Sequence, residues 1–587
     1  MVQLRAEIDA GPLDNNISIF SLIEYGLRRR PESPAVICLH ESADQLDDLL
    51  EISQPHQRKC GIADTDHLTL SYKQLHRAAV RLAAGLRANG VAPGSTLLML
   101  VPNGGQYALL LWTCILARLT VVSMDPAEVL DDLKSQRIVS ILEETRPEVV
   151  VVPGAIESET MNTIVDATSL KTSLKVSLIK TPESEWKGLT ELISDGDAHP
   201  IEVDAMVEEA RRDNPDRLYS IMFTSGTSAR PKGCPLRVGG AAHMVRSWSW
   251  LVNQSNCSHA LQQAHNSRGI APAQTIQTWA AGGAVVMTGR GFDVEDMLDA
   301  IKLHYATFVV LTPAMAHSLA AHLEMQQADL TTVRTVQVGG DAVTKSVLSK
   351  CNSLFPHADV CINHGMTEGG ACFEWPFSGT PPSSIPFFGQ ICPVGKPAPG
   401  AAVRIWDSEK EGIATRGRAG QLHLSSDSII RKYLHGGSAS SFYNQDGKKW
   451  FITGDAAMMA GDGTVYILGR SKDMMLCKGH IVMPFVIESC LEDLTGTQAS
   501  VVAIPDPVHG QQPFAILTAL DQNSSHDIRN QVVRLLGTEY ELGGIVSLEA
   551  LGMTAFPVND TQKIIKPQIK EAVQSYINRV GAGGMVQ

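Results

Sequence analysis

FTSGTSARPKGC, residues 223–234, is the stretch that decides how the fold and the chemistry of this chain are interpreted. It follows the apolar run Leu218–Phe223, is rich in glycine and hydroxyl residues, and ends in Lys232-Gly233. Small residues let a backbone fold closely around an anion, and successive backbone N–H groups form a concave anion site. The composition therefore indicates a loop that binds phosphate oxygens, with a polar surface turn as the alternative. It is not a Walker loop, because the Gly-Lys-[Ser/Thr] order is absent.

On both sides of this loop, strand-like and helix-like segments alternate. The short β-rich runs are TLLMLVP (96–102), VVVVP (149–153), FVVLTP (308–313), TVQVGG (335–340) and VCIN (360–363). Helix-length segments separate them, as in the apolar stretch from Gln106 to Ala117. This alternation predicts an α/β fold in which helices cover largely parallel sheets. Residues 40–66 and 180–215 are polar, and we expect irregular surface insertions there.

The texture of the sequence changes near residue 417, where turn-rich short strands such as KKWFITGDAA begin. We expect these strands to form a small β-barrel-like part of the large N-terminal domain. After Arg470 a smaller α+β segment runs to about residue 575. A chain of 587 residues is too long for one compact core, so two to four structural units are expected.

The bulk composition argues against several classes of function. A net charge of −13 does not suit non-specific binding to nucleic acid, which needs a basic surface. No run of 18 apolar residues is present to span a membrane, and the N-terminus lacks the apolar core of a signal peptide. The eleven cysteines are scattered, which favours reduced thiols over zinc ligands or disulfides. We therefore expect a cytoplasmic protein with no membrane or nucleic-acid partner and leave its oligomeric state open.

Five further segments accompany the opening loop. In chain order they are QQAHNSRG (262–269), NHGMTEGG (363–370), FITGD (451–455), GRSKD (469–473) and PVNDTQKIIK (557–566). The six motifs, in this order and at these separations, resemble the adenylate-forming superfamily of acyl-CoA synthetases, aryl-acid ligases, luciferases and adenylation domains of peptide synthetases. The resemblance covers about residues 18–575 and looks closest to the stand-alone aryl-acid–AMP ligases.

This resemblance implies a reaction in two halves. In that family a carboxylate attacks the α-phosphate of ATP in the presence of Mg²⁺, which yields an acyl-AMP and pyrophosphate. Both reactants are anions, so positioning and preorganised electrostatics supply most of the catalysis. A thiol then takes the acyl group. The implied partners are a small-molecule carboxylic acid, expected to be an aryl or heteroaryl acid, and coenzyme A (CoA) or a separate pantetheinylated carrier protein, with an amine acceptor as the alternative.

The resemblance also assigns residues to the nucleotide. Those implied in binding ATP or AMP are Thr224, Ser225, Gly226, Thr227, Ser228, Lys232, Asn363, His364, Gly365, Met366, Thr367, Asp455 and Arg470. The loop is expected around the β- and γ-phosphates, and the start of NHGMTE beside the adenine. Thr367 would reach the α-phosphate, and Glu368 would hold the magnesium because a carboxylate suits that hard cation. Asp455 would accept the ribose hydroxyls with Arg470 as their second contact, although alone it would be read as a turn residue.

A second set of residues is assigned to the acid. Lys563 matches the lysine that bridges carboxylate and nucleotide, a role suited to a compact charge on a long stem. His265 matches an aromatic or histidine position beside the carboxylate. Asn266 stands where amino-acid-activating relatives carry an aspartate, so it disfavours an α-amino acid and favours a ring hydroxyl. Gly339 and Gly340 look like the same aryl-acid branch. The alternatives are a structural histidine at 265 and a local turn residue at 266. The catalytic set implied is Lys563, His265, Thr367 and Glu368.

Lys472 falls at the hinge position of the family, two residues after Arg470. Relatives rotate their small domain about this point between the two half-reactions, and a hinge needs only a few residues that absorb a backbone change. This predicts a core adenylation domain, residues 1–470, and a small mobile α+β domain, residues 471–587. Four residues depart from the family pattern, and none of them is a charged group assigned above: Ala229, Ile481, Val486 and Gln562. Two of them, Ile481 and Val486, fall in the region that forms the thiol-transfer face in relatives.

Rival functions stay open from the sequence. An aliphatic acid or an amide-forming reaction would use the same motifs. A degenerate member would bind nucleotide without turnover, and a luciferase-like oxygenase would share the fold, although no residue supports that reading. The sequence argues against such a degenerate member, because it retains every charged group assigned to ATP, magnesium and the acid: Lys232, Glu368, Asp455, Arg470 and Lys563.

Overall fold

The computed structural model describes residues 4–13, 17–50, 66–131, 135–166, 168, 172–180, 184–199, 202–224, 231–253, 257–289, 291–436, 439–506, 510–520, 525–558 and 564–580. The strands in these ranges are β1 Glu7–Asp9, β2 Pro34–Ser42, β3 His67–Ser71, β4 Thr96–Leu100, β5 Thr120–Met124, β6 Val149–Val152, β7 Leu174–Ser177, β8 Lys187–Gly188, β9 Leu218–Phe223, β10 Gly233–Arg237, β11 His259–Gln262, β12 Ala284–Met287, β13 Phe308–Leu311, β14 Thr335–Gly339, β15 Asp359–Asn363, β16 Phe373–Glu374, β17 Pro393–Pro397, β18 Ala401–Asp407, β19 Gly412–Ile413, β20 Ala419–Ser426, β21 Phe442–Gln445, β22 Lys448–Met459, β23 Val465–Arg470, β24 Met475–Cys477, β25 His480–Val482, β26 Ala499–Asp506, β27 Gly510–Leu517 and β28 Gly544–Ser547.

The α-helices in the same ranges are α1 Ile19–Arg29, α2 Asp47–Leu50, α3 Tyr72–Ala88, α4 Gly105–Leu116, α5 Ser135–Thr145, α6 Ala155–Asp166, α7 Leu189–Ala198, α8 Val203–Arg211, α9 Val238–Ser247, α10 Ile270–Ala280, α11 Val294–His304, α12 Pro313–Met325, α13 Lys345–Leu354, α14 Pro484–Thr495, α15 Ser525–Leu536 and α16 Lys566–Val580. No helix of the described ranges is both long enough and apolar enough to cross a membrane.

Two seven-stranded sheets form the centre of the N-terminal part. The first has the order β10-β9-β5-β4-β6-β7-β8 and the second the order β15-β14-β13-β11-β12-β2-β3. Neighbouring strands run parallel except at the edge pairs β10–β9 and β2–β3. The apolar runs predicted as buried strands form β4, β6, β13, β14 and β15. All four residues of β6 are buried, as expected where helices cover both faces of a parallel sheet. The predicted α/β fold is confirmed.

The stretch 180–215 is more ordered than its polar composition indicated. It contains α7 and α8, so the expectation of an irregular insertion is wrong there. A surface helix needs only a narrow apolar stripe, which polar residues on its outer face conceal. In α7 that stripe includes Leu189 and Ile193, and the helix packs closely on α3. A Cβ added at Gly85 of α3 would lie 1.8 Å from the carbonyl oxygen of Leu192 in α7.

A nine-stranded antiparallel sheet adjoins the two parallel sheets. Its main path is β1-β18-β20-β22-β23-β17-β16. It corresponds to the small β-barrel-like part expected from the turn-rich sequence, but it starts earlier than residue 417, because β16 begins at Phe373. It also recruits β1 from the N-terminus, where Ile8 pairs with Val403. The turn-rich sequence indicated the local hairpins. It could not indicate that β1, which is distant in sequence, pairs with β18 at the edge of the sheet.

The C-terminal part is α+β, as predicted. Its sheet has the order β25-β24-β27-β26, with β28 paired to β27, and helices α14, α15 and α16 accompany it. A tight turn leads into it from β23, closed by a 3.0 Å hydrogen bond from the Asp473 N–H to the Arg470 carbonyl. The domain boundary at 470/471 falls in this turn and stays a prediction.

Helix α14 lies against the N-terminal part. The hydroxyl oxygens of Thr344 and Ser489 are 2.8 Å apart across this contact. Met483 and Val486, at the start of α14, belong to a buried apolar cluster with Tyr466 of the antiparallel sheet and Ile391. Polar and apolar contacts thus hold the two parts in the arrangement seen here.

Candidate active site

Three of the predicted site segments follow the carboxyl ends of parallel strands. Phe223 ends β9 and precedes the phosphate loop, Gln262 ends β11 before the His-Asn pair, and Asn363 ends β15. In open α/β sheets, this edge is where ligands bind. The antiparallel sheet adds its own residues from β22 and β23. The site is therefore assembled from three sheets.

The phosphate loop is closed at its base by two hydrogen bonds. The N–H of Thr224 donates to the carbonyl of Lys232 at 3.1 Å, and the N–H of Lys232 donates to Thr224 Oγ1 at 3.3 Å. Next to this base, Phe223 and Gly233 are antiparallel partners of β9 and β10. Four predicted loop residues lie outside the described residues: Ser225, Gly226, Thr227 and Ser228. The loop is thus a hairpin connection whose ends lie close together.

Tyr433 joins the phosphate loop to the predicted magnesium ligand. Its hydroxyl donates to Glu368 Oε1 at 2.6 Å, and its ring lies 5.2 Å from Lys232 Nζ, measured to the centroid. Burial, followed by the negative charge of Glu368, raises the pKa of Tyr433 well above its ordinary value, so the phenol stays a donor. A cation over an aromatic face is attracted by the ring quadrupole. One side chain therefore contacts both charged groups.

The segment after β15 is shaped by close backbone contacts. Asn363 pairs with Gly339 across β15 and β14, and a Cβ at Gly339 would lie 2.6 Å from the Asn363 carbonyl. Gly340 follows with a φ of +83°, a conformation that favours glycine. Two hydrogen bonds between Met366 and Gly369 close a turn. This turn contains Thr367 and Glu368, and leaves Gly365 exposed at its start.

The backbone of Glu368 is fixed as well as its side chain. Its carbonyl accepts a 2.8 Å hydrogen bond from the N–H of Ile430. Asn363 is buried, and its Nδ2 has no hydrogen-bond partner among the residues that the structure describes. An amide donor left free at this edge is what a nucleobase acceptor would satisfy, because burying an unpartnered polar group is costly.

Asp455 is brought together with His364 and Arg470. Its Oδ2 lies 3.1 Å from His364 Nε2, and its Oδ1 lies 3.2 Å from an Arg470 guanidinium nitrogen. The same Arg470 nitrogen donates to the Thr453 carbonyl at 3.1 Å, and the Asp455 N–H donates to Thr453 Oγ1 at 3.0 Å. The Asp455 carboxylate is 11% exposed, so it is held in place yet reachable. It can accept hydrogen bonds from a vicinal diol.

His265 is oriented by the residue two positions on. Its Nδ1 accepts a 3.1 Å hydrogen bond from the Ser267 N–H and lies 2.9 Å from Ser267 Oγ. A ring nitrogen that accepts from an amide carries no proton, so the proton of the neutral ring is assigned to Nε2. Burial lowers the pKa of His265, with Asp125 opposing and Arg268 adding to the shift. At neutral pH this histidine is an uncharged donor.

Asn266 is completely buried and bonded to the protein. Its Nδ2 donates to the carbonyl of Val101 at 2.6 Å, and its backbone N–H donates to Asn103 Oδ1 at 2.8 Å. Its Oδ1 has no hydrogen-bond partner within the described ranges. The side chain thus has a structural role, and only its oxygen is left for the ring hydroxyl that the sequence interpretation assigns to it. That assignment stays a prediction.

The residues assigned to domain movement are only partly described. Lys472 is exposed in the turn after β23. Lys563, like Gln562 before it, lies outside the described residues. Of the departures from the family pattern, Ile481 is half exposed and pairs with Leu476 across β24 and β25. The structure therefore leaves the predicted roles of Lys472 and Lys563 as they stood.

Two residues at the site were missed from the sequence, Tyr433 and Asn103. Asn103 follows β4 in the turn VPNGG, and a polar residue at the carboxyl end of a parallel strand is a signal that could have found it. Tyr433 lies in an irregular segment, IIRKYLHG, that carries no such signal. Its contact with Glu368 spans 65 positions of the chain.

The residues present suit a magnesium ion shared with a nucleotide. In the described part of the chain, no group of three or more His, Cys, Asp or Glu side chains is placed to hold a metal ion. Magnesium is usually bound through one or two carboxylates together with substrate phosphates. The single carboxylate of Glu368, oriented by Tyr433 beside the phosphate loop, fits that donor set.

Sequence comparison finds close and distant relatives. The model of the AMP-binding enzyme family matches residues 50–434. An acyl–CoA ligase of Pestalotiopsis microspora is 74% identical over 578 residues, which are 98% of this chain and 100% of that protein. A 4-coumarate–CoA ligase of Humulus lupulus is 25% identical over 485 residues, which are 79% of this chain and 82% of that protein.

Structure comparison finds the same fold. The anthranilate CoA ligase AuaEII, in complex with anthranoyl-AMP, matches with a TM-score of 0.75 at 17% identity, over 96% of this chain and 99% of that chain. The amide bond synthetase McbA from Marinactinospora thermotolerans matches with a TM-score of 0.72 at 20% identity, over 94% and 99% of the two chains. At these identities the likeness concerns the fold.

Proposed function

The chain belongs to the AMP-binding enzyme family and is an AMP-forming acid–thiol ligase, and we propose that it activates an aryl or heteroaryl carboxylic acid with ATP and transfers the acyl group to CoA. The adenylation half-reaction is supported above all by the segment after β15, in which Glu368 stands four residues after His364. Through Tyr433 the glutamate is linked to Lys232, and through Asp455 the histidine is linked to Arg470. A single segment thus connects groups suited to the two ends of a nucleotide triphosphate.

In the first half-reaction, the acid's oxygen forms a bond to the α-phosphorus and the bond to the β-phosphate oxygen breaks. Lys232 would neutralise the departing pyrophosphate, and Thr367 would donate to the α-phosphate. Asp455 would fix the ribose so that the phosphorus lies in line with the carboxylate. Glu368 would hold a magnesium ion, which supplies charge neutralisation for the phosphate oxygens. No proton needs to move in this step.

Lys563 is proposed to bridge the carboxylate and the nucleotide. A lysine is needed because two anions approach one another, and His265 is neutral at pH 7 and supplies no charge. His265 would instead donate from Nε2 to the acid. In this proposal Lys563 supplies the positive charge and His265 supplies an uncharged hydrogen-bond donor.

An aryl acid with a ring hydroxyl is supported by two features. The buried Oδ1 of Asn266 has no donor among the residues that the structure describes, and a neutral residue at this position offers no partner for an α-ammonium group. The names of several relatives also refer to acids that contain a hydroxylated aromatic ring, among them 4-coumarate–CoA ligase and feruloyl-CoA synthase. An aliphatic acid is the alternative that substrate screening would separate.

In the second half-reaction, the thiolate sulfur attacks the acyl carbon, AMP leaves, and the thiol proton passes to solvent. We propose that residues 471–587 rotate about Lys472 for this step, which withdraws Lys563. CoA is proposed as the acceptor because the relative at 74% identity is named an acyl–CoA ligase. A pantetheinylated carrier protein on a separate chain would present the same thiol.

The test is carboxylate-dependent ATP–pyrophosphate exchange across a panel of hydroxylated aryl, heteroaryl, aliphatic and α-amino acids. We expect exchange to be fastest with an aryl or heteroaryl acid, and mass spectrometry to detect its CoA thioester when CoA is added. A strict preference for aliphatic acids would refute the aryl assignment and leave the adenylation chemistry standing. Absence of exchange with every acid, in a folded sample that binds ATP, would refute the proposed activity.

A further inference from the structure

We propose that Asn103 is a positioning residue that holds the 264–266 segment, and with it His265, at the acid-binding end of the site. The side-chain amide of Asn103 makes two hydrogen bonds to the backbone of that segment. Its Nδ2 donates to the Ala264 carbonyl at 2.9 Å, and its Oδ1 accepts from the Asn266 N–H at 2.8 Å. His265 is the residue between these two anchors.

The anchoring is reciprocal. Asn266 returns a hydrogen bond from its Nδ2 to the Val101 carbonyl, two residues before Asn103, at 2.6 Å. Both asparagines are buried, with exposed fractions of 6% for Asn103 and 0% for Asn266. Buried polar groups are costly when unpartnered, so removing the Asn103 amide would leave the Ala264 carbonyl and the Asn266 N–H unsatisfied. The segment would then shift to regain partners.

The turn that carries Asn103 is itself fixed from the opposite sheet. Asn103 lies between β4 of the first sheet and α4, whereas Glu41 belongs to β2 of the second sheet. The Glu41 carboxylate accepts from the Gly105 N–H at 3.2 and 3.0 Å, at the start of α4. A Cβ at Gly104 would lie 1.8 Å from Glu41 Oε1, so only glycine allows this approach. Asn103 therefore extends from a turn that is hydrogen-bonded to the second sheet.

This geometry has a consequence for His265. Its ring is oriented by the Ser267 N–H, one residue beyond the anchored segment, so the direction of its Nε2–H follows the backbone at 264–267. Misplacement of a positioned group by about 1 Å is enough to lower the rate of a reaction about 100-fold. Asn103 thus acts through His265, by holding the backbone on both sides of the histidine.

The inference rests on the proposed function, so its test begins with the wild-type chain and the acid that supports the fastest exchange. Asn103→Ala is expected to lower kcat/KM for the acid about 10- to 100-fold while KM for ATP changes little. The matched control is Asn352→Ala, which removes an amide-to-carbonyl bond, from Nδ2 to Leu348 at 2.8 Å, within α13. That variant is expected to keep both constants.

Asn103→Asp distinguishes a positioning role from a merely structural one through the pH dependence of kcat/KM for the acid. A protonated carboxyl group reproduces both bonds, donating to the Ala264 carbonyl and accepting from the Asn266 N–H, whereas a carboxylate faces the carbonyl with no proton. Burial raises the pKa of such a group. We therefore expect the ratio of kcat/KM for the acid, Asn103→Asp over wild type, to fall as the pH rises from about 6 to about 8.5.

The outcomes separate the two proposals. No exchange by the wild-type chain with any acid contradicts the proposed function. The positioning role is overturned if the wild type is active but the ratio of kcat/KM for the acid, Asn103→Asp over wild type, does not change with pH. It is also overturned if Asn103→Ala raises KM for ATP as much as KM for the acid. If Asn103→Ala does not fold, the pH ratio of Asn103→Asp decides alone.

Discussion

The hydroxyl of Tyr433 donates a 2.6 Å hydrogen bond to the Glu368 carboxylate, across 65 positions of the chain. A hydrogen bond to a charged acceptor contributes about 1.5–3 kcal/mol, and here it also selects the orientation of the carboxylate. The ring of the same tyrosine lies beneath the Lys232 ammonium. The contact therefore sets the geometry of the two charges assigned to magnesium and to the phosphate tail.

Tyr433→Phe should weaken the magnesium dependence of the reaction. It keeps the ring near Lys232 but frees Glu368 to rotate, so we expect the Mg²⁺ concentration for half-maximal ATP–pyrophosphate exchange to rise about ten-fold. Calorimetric titration of ATP at fixed Mg²⁺ gives a readout independent of turnover. Tyr72→Phe, which removes a 2.7 Å bond to the Gly283 carbonyl, is the matched control. An unchanged Mg²⁺ dependence in Tyr433→Phe would contradict the role.

Asp455→Ala should abolish tight nucleotide binding. Two charge-assisted hydrogen bonds to the ribose would be lost, together with the partner of His364, so we expect the Kd for ATP to rise about 100-fold or more. Isothermal calorimetry measures this directly. Asp197→Asn, at a surface pair with Arg81, is expected to bind ATP as the wild type does. ATP binding of wild-type strength by Asp455→Ala would remove Asp455 from the nucleotide site.

Lys563→Ala should separate the two half-reactions. In the proposed mechanism Lys563 bridges the two anions while they react and is withdrawn when the thiol attacks, so adenylation is expected to fall about 100-fold or more. Thioester formation from supplied acyl-AMP should stay within a few-fold of wild type. The control is Lys570→Ala, at an exposed position of α16. Equal losses in both half-reactions would argue against domain alternation.

Glu492 lies at the contact between α14 and the N-terminal part. His317 Nε2 of α12 is 3.8 Å from Glu492 Oε2, and Lys350 of α13 faces Asp493, the next residue of α14, at 3.6 Å. Burial raises the pKa of Glu492 to about 7, with Glu488 and Asp493 adding to the shift. A hydrogen bond from the Ala499 N–H of β26, and the charge of Lys350, oppose it.

This raised pKa predicts that stability falls as the pH rises. The native state holds the Glu492 proton between pH 4.5 and about 7, where the unfolded chain has released it. Wild type should therefore lose up to about 3 kcal/mol relative to Glu492→Gln across that window, since one pKa unit corresponds to about 1.4 kcal/mol. Urea unfolding at several pH values measures the difference. Glu571→Gln, exposed on α16, should track the wild type, and a pH-independent difference for Glu492→Gln would contradict the prediction.

The sequence was sufficient for the fold class because the decisive signals are local. Apolar runs such as Thr96–Leu100 and Val149–Val152 are too continuous for a half-exposed strand, and their spacing leaves room for a helix between them. The same reasoning failed at α7, where a narrow apolar stripe is hidden among polar residues. It also placed the start of the antiparallel sheet too late, because strand pairing with β1 and β16 is not local.

Sequence alone determined the types and the order of the chemical groups. The phosphate loop was predicted from its own composition, whereas the roles of NHGMTE, Asp455 and Arg470 were predicted from the resemblance to a known family. Tertiary structure alone decided which groups meet: His364 with Asp455, 91 positions apart, and Asn103 with Asn266, 163 positions apart. The chemistry of the ligand restricts which residue types can serve in a motif. The residues that orient the motif need only be brought near it when the chain folds. That is why Tyr433 became visible only in the folded chain, and why the position of Asn103 after β4 did not by itself reveal its bond to Asn266.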